Sequence, residues 1–145
     1  MLTLSRFRLL NTIVPAATIG VLFECFLHHR HDYAGHFLGG YGATLAVFMI
    51  WMRELSSPQF SVWAMRGNFA LYVFCILLGV GTEATIFRIA KFDEIDFCNQ
   101  SLGAVVAALV ALSFAGKAKP PVREFDYGLI AGIAFLGAGG CFAVA

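Results

Sequence analysis

The chain has 145 residues and a formal net charge of +1; 59% of its residues are hydrophobic, 13% are charged, and its mean hydropathy is +0.78. So few charges do not cover the surface of a soluble domain of this size, and a near-neutral charge gives nucleic-acid binding no electrostatic support. The four cysteines show neither a CxxC spacing nor a metal-finger pattern, so no disulfide framework is indicated (Cys25, Cys75, Cys98 and Cys141). This composition is typical of an integral membrane protein.

Five apolar stretches are long enough to cross a bilayer, which takes about 20 helical residues. In chain order they lie near 9–27, 34–52, 69–87, 97–116 and 127–145. Polar or helix-breaking segments separate them, at 28–32, 53–59, 88–96 and 117–124. The sequence therefore predicts an all-α polytopic membrane helix bundle with about five transmembrane helices, forming one domain over residues 1–145.

The first stretch follows Arg6 and Arg8, as the apolar region of a signal peptide does. Small residues occur at Ala16 and Ala17, but the apolar run continues well past them. We therefore interpret this stretch as a retained helix, which we expect to kink at Pro15.

The orientation follows from the lysine and arginine residues of the short loops. If the N-terminus is cytoplasmic, seven of them lie on the cytoplasmic side: Arg6, Arg8, Arg53, Arg66, Lys117, Lys119 and Arg123. Three then lie outside: Arg30, Arg88 and Lys91. This bias predicts that the N-terminus is inside and the C-terminus outside (N-in/C-out).

Small residues recur about one turn apart within the stretches, for example Gly35 with Gly39 and Gly128 with Gly132. Such spacing lets helix backbones approach closely in lipid, where no hydrophobic effect drives association. We interpret these residues as helix-packing positions.

With this topology, polar residues of several stretches come to the outer face at a similar depth. We call this set the outer polar cluster: Glu24, Asp32, His36, Glu83, Arg88, Lys91, Asp93, Asp96 and Gln100. We expect His36 to pair with Glu83 or Glu24, and we expect no comparable set at the cytoplasmic ends. Charges at membrane depth are costly and persist when they are paired or functional. The cluster is therefore either a structural lock between helices or a ligand-binding site.

A metal site is the third interpretation, because imidazole is a good ligand for zinc and copper. The candidate ligands are His28, His29, His31 and His36. Adjacent histidines in a loop are more often solvated residues of the interface, so the sequence predicts no specific metal site. It contains no recognisable catalytic motif either, and we expect no enzymatic activity.

Two motifs among these residues resemble the VanZ-like family of small bacterial membrane proteins. The first places an Asp shortly before a His at the start of a span, here Asp32 and His36-Phe37. The second has a Glu near a span end, then a basic-Phe-Asp stretch, an Asp, an amide residue and Gly-Ala. In this chain it reads Glu83, Lys91-Phe92-Asp93, Asp96, Gln100 and Gly103-Ala104.

The likeness covers roughly residues 30–110 and departs from the family pattern at three positions. The family's Arg is Lys91 here unless Arg88 takes its place, its Asn is Gln100, and the Gln expected one turn after Glu83 is Ile86. The resemblance implies a bacterial envelope protein of a kind associated with low-level resistance to the glycopeptide teicoplanin.

We expect a protein of the bacterial cytoplasmic (inner) membrane and consider three hypotheses for its function. The first is a non-enzymatic accessory subunit of a larger membrane complex, with membrane lipids and other membrane subunits as partners. The second is a stand-alone envelope protein that binds a lipid-linked or glycopeptide ligand at the outer polar cluster. The third is a metal-binding membrane protein. The sequence leaves the cofactor unknown.

Overall fold

The computed structural model describes residues 2–54, 93–114 and 120–143 and, between the first two ranges, residues 66, 67, 70, 73, 74, 76, 77, 79–81 and 85. Four helices are continuous in these ranges: α1 (Leu2–Phe26), α2 (His31–Glu54), α3 (Glu94–Leu112) and α4 (Val122–Ala143). All four are long and apolar enough to cross a membrane. The described residues form no β-strand, which agrees with the predicted all-α fold.

Local signals explain where these helices begin and end. The side chain of Asp93 accepts hydrogen bonds from the backbone N–H groups of Ile95 and Asp96, at 2.8 and 3.3 Å, and so caps the start of α3. At the start of α4, Pro121 lies just before the first helical residue, where its missing N–H has no cost. Only residues 27–30 separate α1 from α2, so these two helices form an antiparallel hairpin.

The second helix is the centre of the bundle. Twelve of its residues are buried, against five in α3 and four in α4. The hydrophobic core forms around Tyr41, Leu45, Phe48 and Met49 of this helix. The hydroxyl of the buried Tyr41 donates a hydrogen bond to the backbone carbonyl of Thr12, which ties α2 to α1.

Contacts between side chains and backbones fix the relative directions of the helices. His36 faces Asp96 near the starts of α2 and α3, so these two helices run parallel. Gly35, near the start of α2, lies against the backbone of Ala143 at the end of α4, so these two run antiparallel. One end of the bundle, which we call the polar end, therefore holds the C-termini of α1 and α4 and the N-termini of α2 and α3. The other helix termini form the opposite end.

Glycines allow the backbones of α2 and α4 to touch. A Cβ added to Gly139 would lie 2.5 Å from the backbone N of Gly39 and 2.8 Å from the carbonyl oxygen of Gly35. On the other side of α2, a Cβ on Gly103 of α3 would lie 2.7 Å from the backbone N of Tyr41. These positions confirm that small residues serve helix packing in this chain.

Described residues also link the segment between α2 and α3 to both ends of the bundle. Gly67 lies against the indole of Trp51, in the last turns of α2, and Gly79 lies against the side-chain amide of Gln100, in the second turn of α3. The described residues from 66 to 85 are helical. The third predicted span, 69–87, lies partly outside the described residues.

The other four predicted spans overlap the four helices but differ from them at the ends. The helices α1, α2, α3 and α4 each begin before the predicted spans, by three to seven residues. For α2 to α4 the difference arises in the first turn of each helix, which is helical but contains polar residues. The prediction rested on apolar content, so it left these turns out. Helix α1 continues through Pro15, and the expected kink stays a prediction.

Candidate functional site

His36 and Asp96 form the centre of the polar end. Nε2 of His36 lies 3.4 Å from Oδ2 of Asp96, and the two side chains are only 17% and 16% exposed. His36 sits in the second turn of α2 and Asp96 in the first turn of α3, so the parallel packing of these helices brings them together. The predicted partners of His36 were Glu83 and Glu24. The structure brings it against Asp96, and Glu24 contacts His31; Glu83 lies outside the described residues, so its pairing with His36 stays a prediction.

A second histidine–carboxylate contact joins α2 to α1. Nδ1 of His31 lies 2.7 Å from Oε2 of Glu24, which stands in the last turn of α1. The prediction that Glu24 lies at the same end as His36 is confirmed, but its partner is His31. The first turns of α2 thus contact a carboxylate on each of two neighbouring helices.

Two other carboxylates of the cluster have local structural roles. Asp32 accepts hydrogen bonds from Nε and Nη2 of Arg30, at 3.2 and 3.0 Å. The bond to this carboxylate raises the pKa of the Arg30 guanidinium above its ordinary value, and the guanidinium also lies 4.1 Å from the ring centre of Tyr33. Asp93 is the N-cap of α3. Both acids also lie at helix N-termini, where negative charge is favourable.

Of the remaining members of the predicted cluster, the structure describes Gln100 but not the other three. The side chain of Gln100 lies against Gly79, at the same end of α3 as Asp96. Glu83, Arg88 and Lys91 lie outside the described residues, so their membership of the cluster stays a prediction.

Several buried polar atoms at the polar end have no hydrogen-bond partner in the described part of the chain. They are Oδ1 of Asp96, Nδ2 of Asn99, Oγ of Ser101 and Oε1 of Glu24. Asp96 and Asn99 are three residues apart and therefore share one face of α3. A buried polar atom without a partner costs about 1–3 kcal/mol, so this concentration marks a place where a ligand or water can compensate the loss.

Asn99 is the residue that the sequence analysis missed. It stands next to Gln100, which the family pattern singled out, and an i, i+3 test from Asp96 would have found it. It supplies an unpartnered donor on the helix face that also carries an unpartnered carboxylate oxygen, so the site offers both hydrogen-bonding roles to a ligand.

The histidines face different partners and do not form a metal-binding arrangement. The rings of His28 and His29 pack edge to face with centroids 5.4 Å apart, while His31 and His36 face carboxylates on two separate helices. Among the described residues, no group of three or more His, Cys, Asp or Glu side chains converges. The described cysteines are free and exposed thiols, so the structure does not join any two of them: Cys25, Cys98 and Cys141.

The opposite end has interhelical ion pairs that the sequence analysis did not predict. Arg8 of α1 forms an ion pair with Glu124 of α4, with side chains only 16% and 11% exposed, beside a small cleft that Thr12 and Phe114 also line. Arg53 of α2 lies 3.4 Å from Asp126 of α4. Helix α4 begins at Val122 and so brings both acids into the helix. Whether these pairs lie within the membrane is not tested by the fold, so the expectation of no comparable intramembrane set at the cytoplasmic ends stays a prediction.

No family model, curated protein or solved structure matches the chain.

Proposed function

We propose that the chain is a five-span membrane protein with its N-terminus inside and the polar end outside the bacterial cytoplasmic membrane. The parallel directions of α2 and α3 support the count, because the intervening residues then have to return from the opposite end to the polar end. The contacts of Gly67 with Trp51 and of Gly79 with Gln100 support a helix running in that direction. The Lys/Arg bias supports the orientation.

In this topology, the function that the geometry supports best is binding of a ligand at the polar end by a non-enzymatic, VanZ-like envelope protein. One observation carries the proposal: the unpartnered, buried Oδ1 of Asp96 and Nδ2 of Asn99 on one face of α3, next to His36. A purely structural lock between helices would satisfy its own polar atoms, as buried polar networks generally do.

The chemistry of the site favours a ligand with several hydrogen-bonding groups near the membrane surface. Asp96 accepts, Asn99 donates, and His36 does either, depending on its protonation. In the proposed topology these groups lie near the outer membrane surface, where the polar part of a lipid-linked glycan or of a glycopeptide would lie. We propose this class of ligand, in keeping with the resemblance to proteins associated with teicoplanin resistance.

An accessory subunit of a larger membrane complex is the second candidate. The outer face of α4 carries exposed apolar side chains at Ile130, Ile133 and Leu136. A Cβ on Gly137 or Gly140 would meet nothing within 4 Å, so a second helix could approach this face closely. Lipid chains could cover the same face, and the experiment below distinguishes the two.

The test is native mass spectrometry of the protein extracted from its own membranes in a mild detergent. We expect the wild type to retain a polar small molecule or lipid, and we expect Asp96→Asn and Asn99→Ala to lose it. A matched control is Ser113→Ala, because Ser113 also has a buried, unpartnered hydroxyl but lies at the opposite end. This control should retain the ligand.

Two outcomes would count against ligand binding. Equal retention by the wild type and by both polar-end variants, at equal membrane abundance, would show that Asp96 and Asn99 bind nothing. Stoichiometric protein partners with no retained small molecule would instead favour the accessory-subunit function. In cells, the corresponding readout is teicoplanin susceptibility, which we expect Asp96→Asn to change and Ser113→Ala to leave unchanged.

A further inference from the structure

The two ends of the bundle are held together by different kinds of charged contact. At the polar end, α2 contacts α1 through His31 and Glu24, and it contacts α3 through His36 and Asp96. Both contacts pair an imidazole with a carboxylate. Imidazole is the one ordinary side chain that changes its charge between about pH 5 and 8.

At the opposite end, the interhelical contacts are arginine–carboxylate pairs. Arg8 pairs with Glu124 between α1 and α4, and Arg53 pairs with Asp126 between α2 and α4. A guanidinium keeps its charge throughout the physiological range of pH. Among the described residues, the interhelical pairs whose attraction depends on pH in that range therefore lie at the polar end.

We propose that the polar end is a pH-dependent closure, which tightens when His31 and His36 are protonated and opens as they lose their protons. The inference rests on the proposed function in one respect: opening at this end would regulate access to Asp96 and Asn99. The opening itself is argued from the two histidine–carboxylate contacts.

The direction of the effect follows from the charges of each pair. A protonated imidazole attracts its carboxylate, and this attraction stabilises the contacts of α2 with α1 and α3 at low pH. When an imidazole becomes neutral, the ionic part of its attraction to the carboxylate is lost. The weaker contact of His36 is the more consequential one, because its side chains are largely shielded from water and a charge interaction there is screened less.

Neighbouring groups act in the same direction. The acids Asp32 of α2 and Asp93 at the start of α3 add negative charge around His36 and Asp96, and Arg30 in the loop compensates part of it. Once the histidines are neutral, the carboxylates at this end repel one another. Around His31, the facing groups are Glu24 of α1 and Arg30 beside it in the chain.

The other elements packed at this end add no charge among the described residues. The last turn of α4, residues 139–143, has no titratable group other than the exposed Cys141. The described residues 79–81 and 85 are uncharged, and Glu83, Arg88 and Lys91 lie outside the described part.

Distances between spin labels on α1 and α3 test the proposal. Cys25 and Cys98 are exposed near the polar ends of these helices and can be labelled once Cys75 and Cys141 are replaced by serine. Electron–electron double resonance of the protein in lipid nanodiscs, with no added ligand, gives the distance at pH 5 and pH 8. We expect the 25–98 distance to lengthen and its distribution to broaden at pH 8.

Two controls separate this opening from a general effect of pH. Labels at cysteines introduced at the exposed Leu10 and Leu112, in a background without the native cysteines, report α1 and α3 at the opposite end, and their distance should not change. The double variant His31→Gln/His36→Gln has side chains that do not titrate, and its 25–98 distance should be independent of pH.

A 25–98 distance that stays constant in the wild type would overturn the proposal, as would an equal change in the double variant or an equal change at the opposite end. These results are independent of ligand retention. If the protein retains a ligand but its 25–98 distance does not change with pH, the pH-dependent closure is wrong and the proposed function stands. If the distance changes but no ligand is retained, the proposed function is wrong and the closure stands.

Discussion

At the scale of single residues, the Arg8–Glu124 pair is an ion pair largely shielded from solvent. The two side chains join the first and last helices of the described structure. Removing one partner of such a pair leaves an uncompensated charge, whereas replacing both by apolar residues often has little effect. The pair therefore helps to hold α1 against α4, two helices that have few other contacts with each other.

The variant Glu124→Leu tests this role. We expect it to lower the free energy of unfolding by about 3 kcal/mol, because Arg8 then stays charged without its partner. The measurement is thermal unfolding of the purified protein in detergent. In the double variant Arg8→Met/Glu124→Leu most of the loss should be recovered, apart from the favourable interaction of Glu124 with the N-terminus of α4, about 0.5 kcal/mol. Equal losses in the single and double variants would show that the charge pairing contributes nothing.

The sequence predicted which polar residues share a depth, but not which of them touch. Glu24, His36 and Asp96 were placed at one end, and the structure brings all three there. The contact of His36 with Asp96 was not predicted, because hydropathy locates a residue along the membrane normal and gives no information on how its helix is rotated. The rotation depends on packing, and here the glycine contacts between α2 and α3 turn Asp96 towards His36.

At the scale of helices, the contact between α2 and α4 depends on glycine. At Gly139, the backbone atoms of Gly35 and Gly39 leave no room for a side chain. Dispersion between closely packed surfaces is the main attraction between helices in lipid, so separating these backbones costs stability directly.

Gly139→Ala and Gly137→Ala form a matched pair of variants in α4. We expect Gly139→Ala to lower the free energy of unfolding by about 1–3 kcal/mol, since the added methyl group forces the helices apart. Gly137→Ala meets nothing within 4 Å and should raise it by about 0.5–1 kcal/mol, because alanine is the better helix former. Unfolding in increasing proportions of denaturing detergent measures both. Two variants of equal stability would show that the close approach at Gly139 is unimportant.

Helix ends were the least predictable part of the fold. Asp93, Glu94 and Asp96 belong to the cap and first turn of α3, yet a search for apolar stretches assigns them to a loop. Acidic residues in the first turn stabilise a helix, so capping rules predict the start of α3 correctly where hydropathy places it too late. The same error at α4 hid Glu124 and Asp126, and with them the ion pairs of the opposite end.

At the scale of the whole molecule, the central position of α2 follows from its composition. This helix contains glycines, Thr44, Tyr41 and His36, and it is the most buried of the four. In lipid, polar and small residues are placed inside the bundle, because a lipid-facing surface requires apolar side chains. The position of α2 was thus available from the sequence, once the distribution of small and polar residues was considered alongside hydropathy.

The proposed orientation makes the two ends chemically distinct for any reagent that does not cross the membrane. His29, in the loop between α1 and α2, is exposed at the polar end, and Pro121, before α4, is exposed at the opposite end. Each can be replaced by cysteine in a background without the four native cysteines. In intact spheroplasts, we expect a membrane-impermeant maleimide to label His29→Cys at once.

Pro121→Cys should react only after the membrane is opened, because the Lys/Arg bias of the proposed orientation puts the opposite end in the cytoplasm. Arg8 and Arg53 contribute to this bias even though each is paired with an acid, since acidic residues contribute little to orientation. The reverse pattern of labelling would place the polar end in the cytoplasm. It would then exclude an extracellular glycopeptide as the ligand of Asp96 and Asn99, while a lipid-linked ligand of the inner leaflet would remain consistent with their chemistry.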